Sequence, residues 1–320
     1  MPSDKSVLPD DTHIGHVHLQ VSDLDRSLGF YEELLGFRRA LKTHHPPRLA
    51  ETVALSATGR APYHILLSER AQARPKPSRT TGLYHLAIRF PDRLALARTF
   101  ARLVAHRYLL QGASDHKVSE AIYLADPDDI GIELYADRPA TEWPQQGDQV
   151  AMATLPLDVQ ALLAEAALDE RPWQGVHPGT DIGHVHLHVS DLGRAEAFYN
   201  GILGLEVTQR GYPGALFLSA GGYHHHVGLN VWAGQGAPRP PLDAVGMLSF
   251  ALRIRDETAW RAVLARAEAA GLDFAARDTE QGTSTILVDP DGHRVEVMLD
   301  ERVQDALQSE TEQRSEERVA

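Results

Sequence analysis

The residues with the plainest capacity for chemistry lie between positions 116 and 133, in the run His-Lys-Val-Ser-Glu-Ala-Ile-Tyr-Leu-Ala-Asp-Pro-Asp-Asp-Ile-Gly-Ile-Glu. His116 can take up and return a proton near neutral pH. Tyr123 can donate or accept a hydrogen bond. Glu133 stands among Ile130, Ile132 and Leu134. A carboxylate in such company is costly unless something compensates it, and a metal ion would. A lone Glu would be better explained by a solvated strand face; His116 and Tyr123 beside it argue for chemistry. The elements that must position these groups are short. Asp126-Pro127-Asp128-Asp129 reads as a tight turn. Residues 121–124 and 130–135 read as the two strands of a hairpin. Alternation puts Ala121 and Tyr123 on one face of the first strand, and Gly131, Glu133 and Tyr135 on one face of the second.

The whole chain has 320 residues, enough for two domains. Its net charge of −13 argues against nucleic acid as a partner, because no basic cluster is present to neutralise phosphates. No apolar run is long enough to span a membrane, and Met-Pro-Ser-Asp-Lys at the start lacks the apolar core of a signal peptide. There is no Cys, which removes disulfides and thiolate metal sites and leads us to expect a cytoplasmic location. The 17 His residues lie mostly within strand-like segments. No motif fixes the oligomeric state, and a homo-oligomer is compatible with the sequence.

An internal duplication organises the chain. The alternating stretch His13-Ile14-Gly15-His16-Val17-His18-Leu19-Gln20-Val21 returns as Ile182-Gly183-His184-Val185-His186-Leu187-His188-Val189, an offset of 168 residues. Ser22-Asp23 offers a helix cap before a helical spacing over 24–35 that ends at Gly36. A second related pair begins at Gly82-Leu83-Tyr84-His85 and Gly246-Met247-Leu248-Ser249. Each of these runs into a helical stretch and then an Asp-Pro-Asp turn leading to Glu133 or Glu296. The pattern predicts four units of strand, helix and further strands. Residues 1–10 and the charged tail 301–320 are expected to be unstructured or solvated. The segment 137–179, with a short helix over 158–168, is expected to be a linker packed on the surface.

Residues 116–133 resemble the sequence pattern of the extradiol ring-cleaving dioxygenases of the vicinal oxygen chelate superfamily. His116, Ile122, Tyr123, Asp126, Pro127 and Glu133 fall in register with it. Two positions depart: Ser114 stands where the pattern prefers Gly, Asn, Thr, Ile or Val, and Asp129 where it expects Gly or Pro. The layout over about residues 11–300 is similar to the bacterial two-domain catechol 2,3-dioxygenases. The resemblance implies an α+β fold of four βαβββ modules in two tandem domains, 11–136 and 180–300. It implies a mononuclear Fe(II) centre, Mn(II) being compatible with the same ligands. The activity it implies is insertion of both atoms of O2 into a small aromatic diol, next to its two hydroxyl-bearing carbons. Two other activities occur on this architecture: glyoxalase-type metal-dependent isomerisation or transfer, and metal-free binding of the bleomycin-resistance kind.

In this superfamily the first strand of a module supplies a His ligand and the last strand a Glu. That implies His85 and Glu133 from the second module. His116 and Tyr123 would hydrogen-bond the substrate oxygens. The run Gly222-Tyr223-His224-His225-His226-Val227 would supply the acid–base His; His226 matches best because it precedes the apolar strand 227–232, with His224 on the same face one pair earlier and His225 facing the other way. The third ligand depends on how modules pair. Pairing in sequence order gives His16, with His64 as the acid–base group. Exchange between domains gives His184, with His226 beside it and His186 and His188 on the same strand face. Exchange is the expectation, because it collects every chemically equipped residue in one cavity. It leaves the first module with the fourth, where Ser249 replaces a His.

Overall fold

The structure is a computed structural model that describes residues 8–40, 52–147, 149–279 and 282–300. The expectations for residues 1–7 and for the tail 301–320 lie outside the described residues. Leu8, within the stretch 1–10 expected to be unstructured, is buried.

Two mixed sheets carry the fold. In one, the strand His13–Val21 pairs antiparallel with Gly246–Ile254, joining the first module to the fourth. In the other, Gly82–Phe90 pairs antiparallel with Asp181–His188, joining the second to the third. The modules therefore pair by exchange across the duplication, and each half of the chain contributes to both sheets. Within the second sheet, Gly82–Phe90 runs parallel to Gly131–Asp137, and Asp181–His188 runs parallel to Val227–Asn230.

The strands divide their residues by face. Val17, Leu19, Leu86, Ile88, Ile132, Leu134, Val185, Leu187, Phe250 and Leu252 belong to one continuous apolar core. Each such side chain contributes about 1.5–3 kcal/mol by leaving water. The alternate positions of the same strands, His16, His85, Glu133, His184 and His186, necessarily take the other face. The alternation of His with Val and Leu thus builds a core and a chemical face in one stroke.

The module helices start on the same device. Asp23, Asp92, Asp191 and Asp256 each accept a hydrogen bond from the backbone N–H three residues on. This satisfies an otherwise unpaired first-turn donor. The first helix departs from expectation. It is α-helical only over Leu24–Leu28 and then widens into a π-helical turn, Gly29–Leu34, where the Leu35 N–H donates to the Phe30 carbonyl.

The turn before Glu133 is held by one side chain. Asp126 Oδ1 accepts from the N–H groups of Asp128 and Ile130 at 2.8 and 2.9 Å, and Oδ2 accepts from Tyr31 Oη at 3.0 Å. Burial raises the Asp126 carboxyl to about 6. Asp129, the residue that departs from the family pattern, has φ +61°, and its counterpart Gly292 has φ +89°. Asp is among the few residues that tolerate this left-handed backbone, which is why the departure leaves the turn intact. Asp289 repeats the device in the fourth module, accepting from the N–H groups of Asp291 and His293 and from Tyr199.

Candidate active site

Glu133 is the centre of the site. It lies directly opposite Tyr123 in the ladder between Ser119–Ala125 and Gly131–Asp137. On its other side it is in register with Ala87 of the Gly82–Phe90 strand. That strand brings His85 to Glu133, Nε2 to Oε2 at 3.0 Å. The strand beyond brings His184, Nε2 to the same oxygen at 3.2 Å. Among the described residues, His85, Glu133 and His184 form the one group of three ligand-type side chains whose donor atoms lie within 4.8 Å of one another. All three are buried.

The electrostatics of this group fit a bound cation. Burial alone would push Glu133 up, but His184 and His85 beside it hold it well below the usual carboxylate range. Burial lowers His184 to about 4, so it is a neutral imidazole near pH 7. The 3.0 Å approach of His85 Nε2 to Glu133 Oε2 lacks hydrogen-bond geometry. Two imidazoles and a carboxylate with converging ligand atoms suit a divalent metal and offer it a net single negative charge.

A cavity of about 460 Å³ opens onto this face, within the range of small-molecule sites. Tyr123 and His116 line it as a pair. His116 Nδ1 lies 2.7 Å from the carbonyl of Ala153, so this nitrogen carries the hydrogen. His116 Nε2 then accepts from Tyr123 Oη at 2.6 Å. Burial, with Glu133 nearby, pushes the Tyr123 phenol well up, so it stays protonated. His186 also lines the cavity, with an unpartnered Nε2. Aromatic walls come from Tyr84, Phe217 and Trp232.

The structure corrects the assignment within the His run. His226 lies outside the cavity: its Nδ1 accepts from the Ala220 N–H at 3.2 Å and lies 3.0 Å from Ser219 Oγ. His225 lines the cavity instead, its ring 4.0 Å from that of His184 by centroids. The strand begins only at Val227, after a turn with Gly221 and Gly222 at φ +64° and +69°. Alternation counted back from the strand therefore fails over residues 224–226. Burial, with His184 and His224 close by, holds His225 well below its usual range, leaving it uncharged.

Three further expectations change. Residues 137–179 do more than link: Met152, Ala153 and Thr154 wall the cavity, and Leu155–Pro156 adds an edge strand beside Leu110–Asp115. No periodicity in the sequence signals this. His64 belongs to the other sheet, beside the strand His13–Val21, where its Nδ1 accepts from the Ala57 N–H. His188 turns from the cavity to Asn230, Nδ1 to Oδ1 at 2.6 Å. In the sheet of the first and fourth modules, His16 Nε2 lies 3.3 Å from Glu296, but Ser249 stands where a second imidazole would be needed. Gly183 is required for packing: a Cβ there would lie 1.7 Å from the hydroxyl of Tyr135, the residue between Glu133 and Asp137 on their strand face.

An exchanged pair of βαβββ modules that brings two His and one Glu together is an arrangement of the vicinal oxygen chelate type. The family model described as the Glyoxalase/Bleomycin resistance protein/Dioxygenase superfamily matches residues 13–134 and 181–297, and the chain belongs to that superfamily. It is 44% identical over 276 residues to the catechol-2,3-dioxygenase of Bacillus subtilis (strain 168), covering 85% of this chain and 92% of that one. A crystal structure of a protein from Bacillus subtilis subsp. subtilis str. 168 shares the fold, with a TM-score of 0.63, 14% identity, and coverage of 90% of this chain and 85% of that one. Glyoxalase I from Zea mays shares it with a TM-score of 0.56 and 17% identity, over 93% of this chain and 95% of that one.

Proposed function

We propose that this protein is an extradiol ring-cleaving dioxygenase acting on a catechol. The observation that carries the reading is the convergence of His85, Glu133 and His184, with His85 and Glu133 on the wall of the cavity that the Tyr123–His116 pair and His225 also line. The relative at 44% identity, named as a catechol-2,3-dioxygenase, supports it.

His85, Glu133 and His184 would hold Fe(II), with Mn(II) an acceptable occupant of the same donors. The metal would supply a Lewis acid for the diol oxygens and a path for electrons between ring and dioxygen. The protein's own groups do the rest. Glu133 contributes one negative charge, so a catecholate monoanion balances a divalent centre. His225, uncharged, accepts a substrate proton and later returns it. Tyr123 presents its oxygen to the substrate, and a proton arriving there can pass onward to His116 Nε2. Tyr84, Phe217 and Trp232 hold the ring and thin out the water around it. Both oxygen atoms of O2 end in the product, so the reaction balances without an external reductant.

The test is reconstitution. Protein loaded with Fe(II) without air, given catechol and then air, yields the yellow ring-opened product. Turnover of a hemithioacetal of methylglyoxal without consumption of O2 would instead favour glyoxalase chemistry. Binding of catechol with no metal uptake would favour a sequestering protein.

A further inference from the structure

Behind the cavity wall a chain of hydrogen bonds runs inward from His225. Its Nδ1 lies 2.8 Å from Nδ1 of His224, and Nε2 of His224 lies 2.8 Å from Asp137 Oδ1. The other oxygen of Asp137 accepts from Tyr223 Oη at 3.0 Å and lies 3.8 Å from a guanidinium nitrogen of Arg89. Tyr223 spends its one hydrogen on Asp137, so Tyr135 Oη, at 2.6 Å, donates to Tyr223. His224 is fully buried, and neither it nor Asp137 lines the cavity. Asp137 ends the strand that carries Glu133 and shares its face, four residues on.

The direction of each hydrogen bond follows from counting hydrogens. A carboxylate only accepts, so Nε2 of His224 carries a hydrogen. A neutral His224 then has a bare Nδ1. In this tautomer the hydrogen between the two Nδ1 atoms belongs to His225. A neutral imidazole carries one hydrogen, so Nε2 of His225 is left with its lone pair.

We propose that Asp137, acting through His224, is a positioning residue that fixes the tautomer of His225 and leaves its Nε2 lone pair for the substrate proton. The proposal rests on the reading of His225 as the acid–base group of this site. Its logic is that of a carboxylate that orients a catalytic imidazole without touching substrate. When the proton moves, it goes from the substrate hydroxyl to Nε2 of His225. The resulting cation keeps donating through Nδ1 to His224, whose own hydrogen stays on its Nε2, donated to Asp137. No proton leaves the relay, and no redox partner is required.

Asp137→Asn tests it, because an amide can donate to Nε2 of His224 and reverse the whole chain. The expected result is a fall in kcat of about 10- to 10³-fold, with metal content, thermal midpoint and catechol KM close to wild type. The same change made on a His225→Ala background should cost nothing further, since groups that act as one unit are not additive. Nitrogen NMR of ring-labelled, metal-free protein gives a readout independent of turnover. The His225 signals, assigned by their absence in His225→Ala, should show hydrogen on Nδ1 in the wild type and on Nε2 in Asp137→Asn. If Asp137→Asn folds poorly, His224→Phe removes the same acceptor and should lower kcat in the same way. An unchanged tautomer, an unchanged kcat, or an equal loss on the His225→Ala background would overturn the proposal. Full turnover by His225→Ala would instead overturn the acid–base reading, and the NMR comparison would still decide the relay.

Discussion

His225 lies against His184, ring centroids 4.0 Å apart, while His226, the next residue, binds the Ala220 N–H outside the cavity. One residue of offset therefore separates a group that can reach substrate from one that holds a loop. His225→Ala is expected to retain metal and to slow ring cleavage by about 10²- to 10⁴-fold, the usual contribution of a general acid–base group. His226→Ala is expected to keep turnover within a few-fold but to lower stability by about 1–3 kcal/mol, because the Ala220 N–H loses its partner. Metal analysis, steady-state rates and urea unfolding of both variants check the assignment. The reverse pattern would return the acid–base role to His226.

Much of this arrangement is legible in the amino-acid sequence because it is local. The register of Tyr123 with Glu133 follows from a short turn between two alternating strands. The division of His184 and His186 from Val185 and Leu187 follows from strand periodicity, and exchange of modules follows from asking which pairing fills one cavity. The parts that were not legible depend on departures from periodicity or on distant contacts. The Gly221-Gly222 turn breaks the alternation that turned His225 to the other face. Ala153 reaches His116 from a segment with no repeat pattern of its own. Asp137 meets His224 across 87 residues, and no local spacing encodes that meeting.

The exchanged pairing makes a direct claim about two homologous histidines. His184→Ala and Glu133→Ala are each expected to lose bound Fe(II) and turnover together, since either change takes away one of the three converging donors. His16→Ala, which alters the other sheet, is expected to keep both. Iron content by metal analysis, beside the rate of ring cleavage, separates the two sites. Iron loss in His16→Ala with iron retained in His184→Ala would refute the assignment.

Stability should fall as the medium is acidified, and His64 sets part of the slope. Burial lowers His64 from 6.5 to about 4. Between those values the unfolded chain binds a proton that the folded chain refuses. This contribution is therefore fully present above about pH 6.5 and is lost as pH falls toward 4. His64→Gln should flatten the dependence over this window while leaving metal binding intact. Urea midpoints of metal-free wild type and variant, measured at neutral pH and near pH 5, give the comparison. A slope that is unchanged or steeper in the variant would contradict it.

The reading of the cavity as an extradiol dioxygenase site meets its most direct test in the fate of dioxygen. Fe(II)-loaded protein is mixed with catechol under ¹⁸O2, and the ring-opened product is trapped quickly and weighed by mass spectrometry. The account predicts one O2 consumed per ring opened, two labelled oxygens in each product molecule, and loss of both signals in Glu133→Ala. A product with one label or none, or product formed at the same rate in the absence of O2, would contradict it.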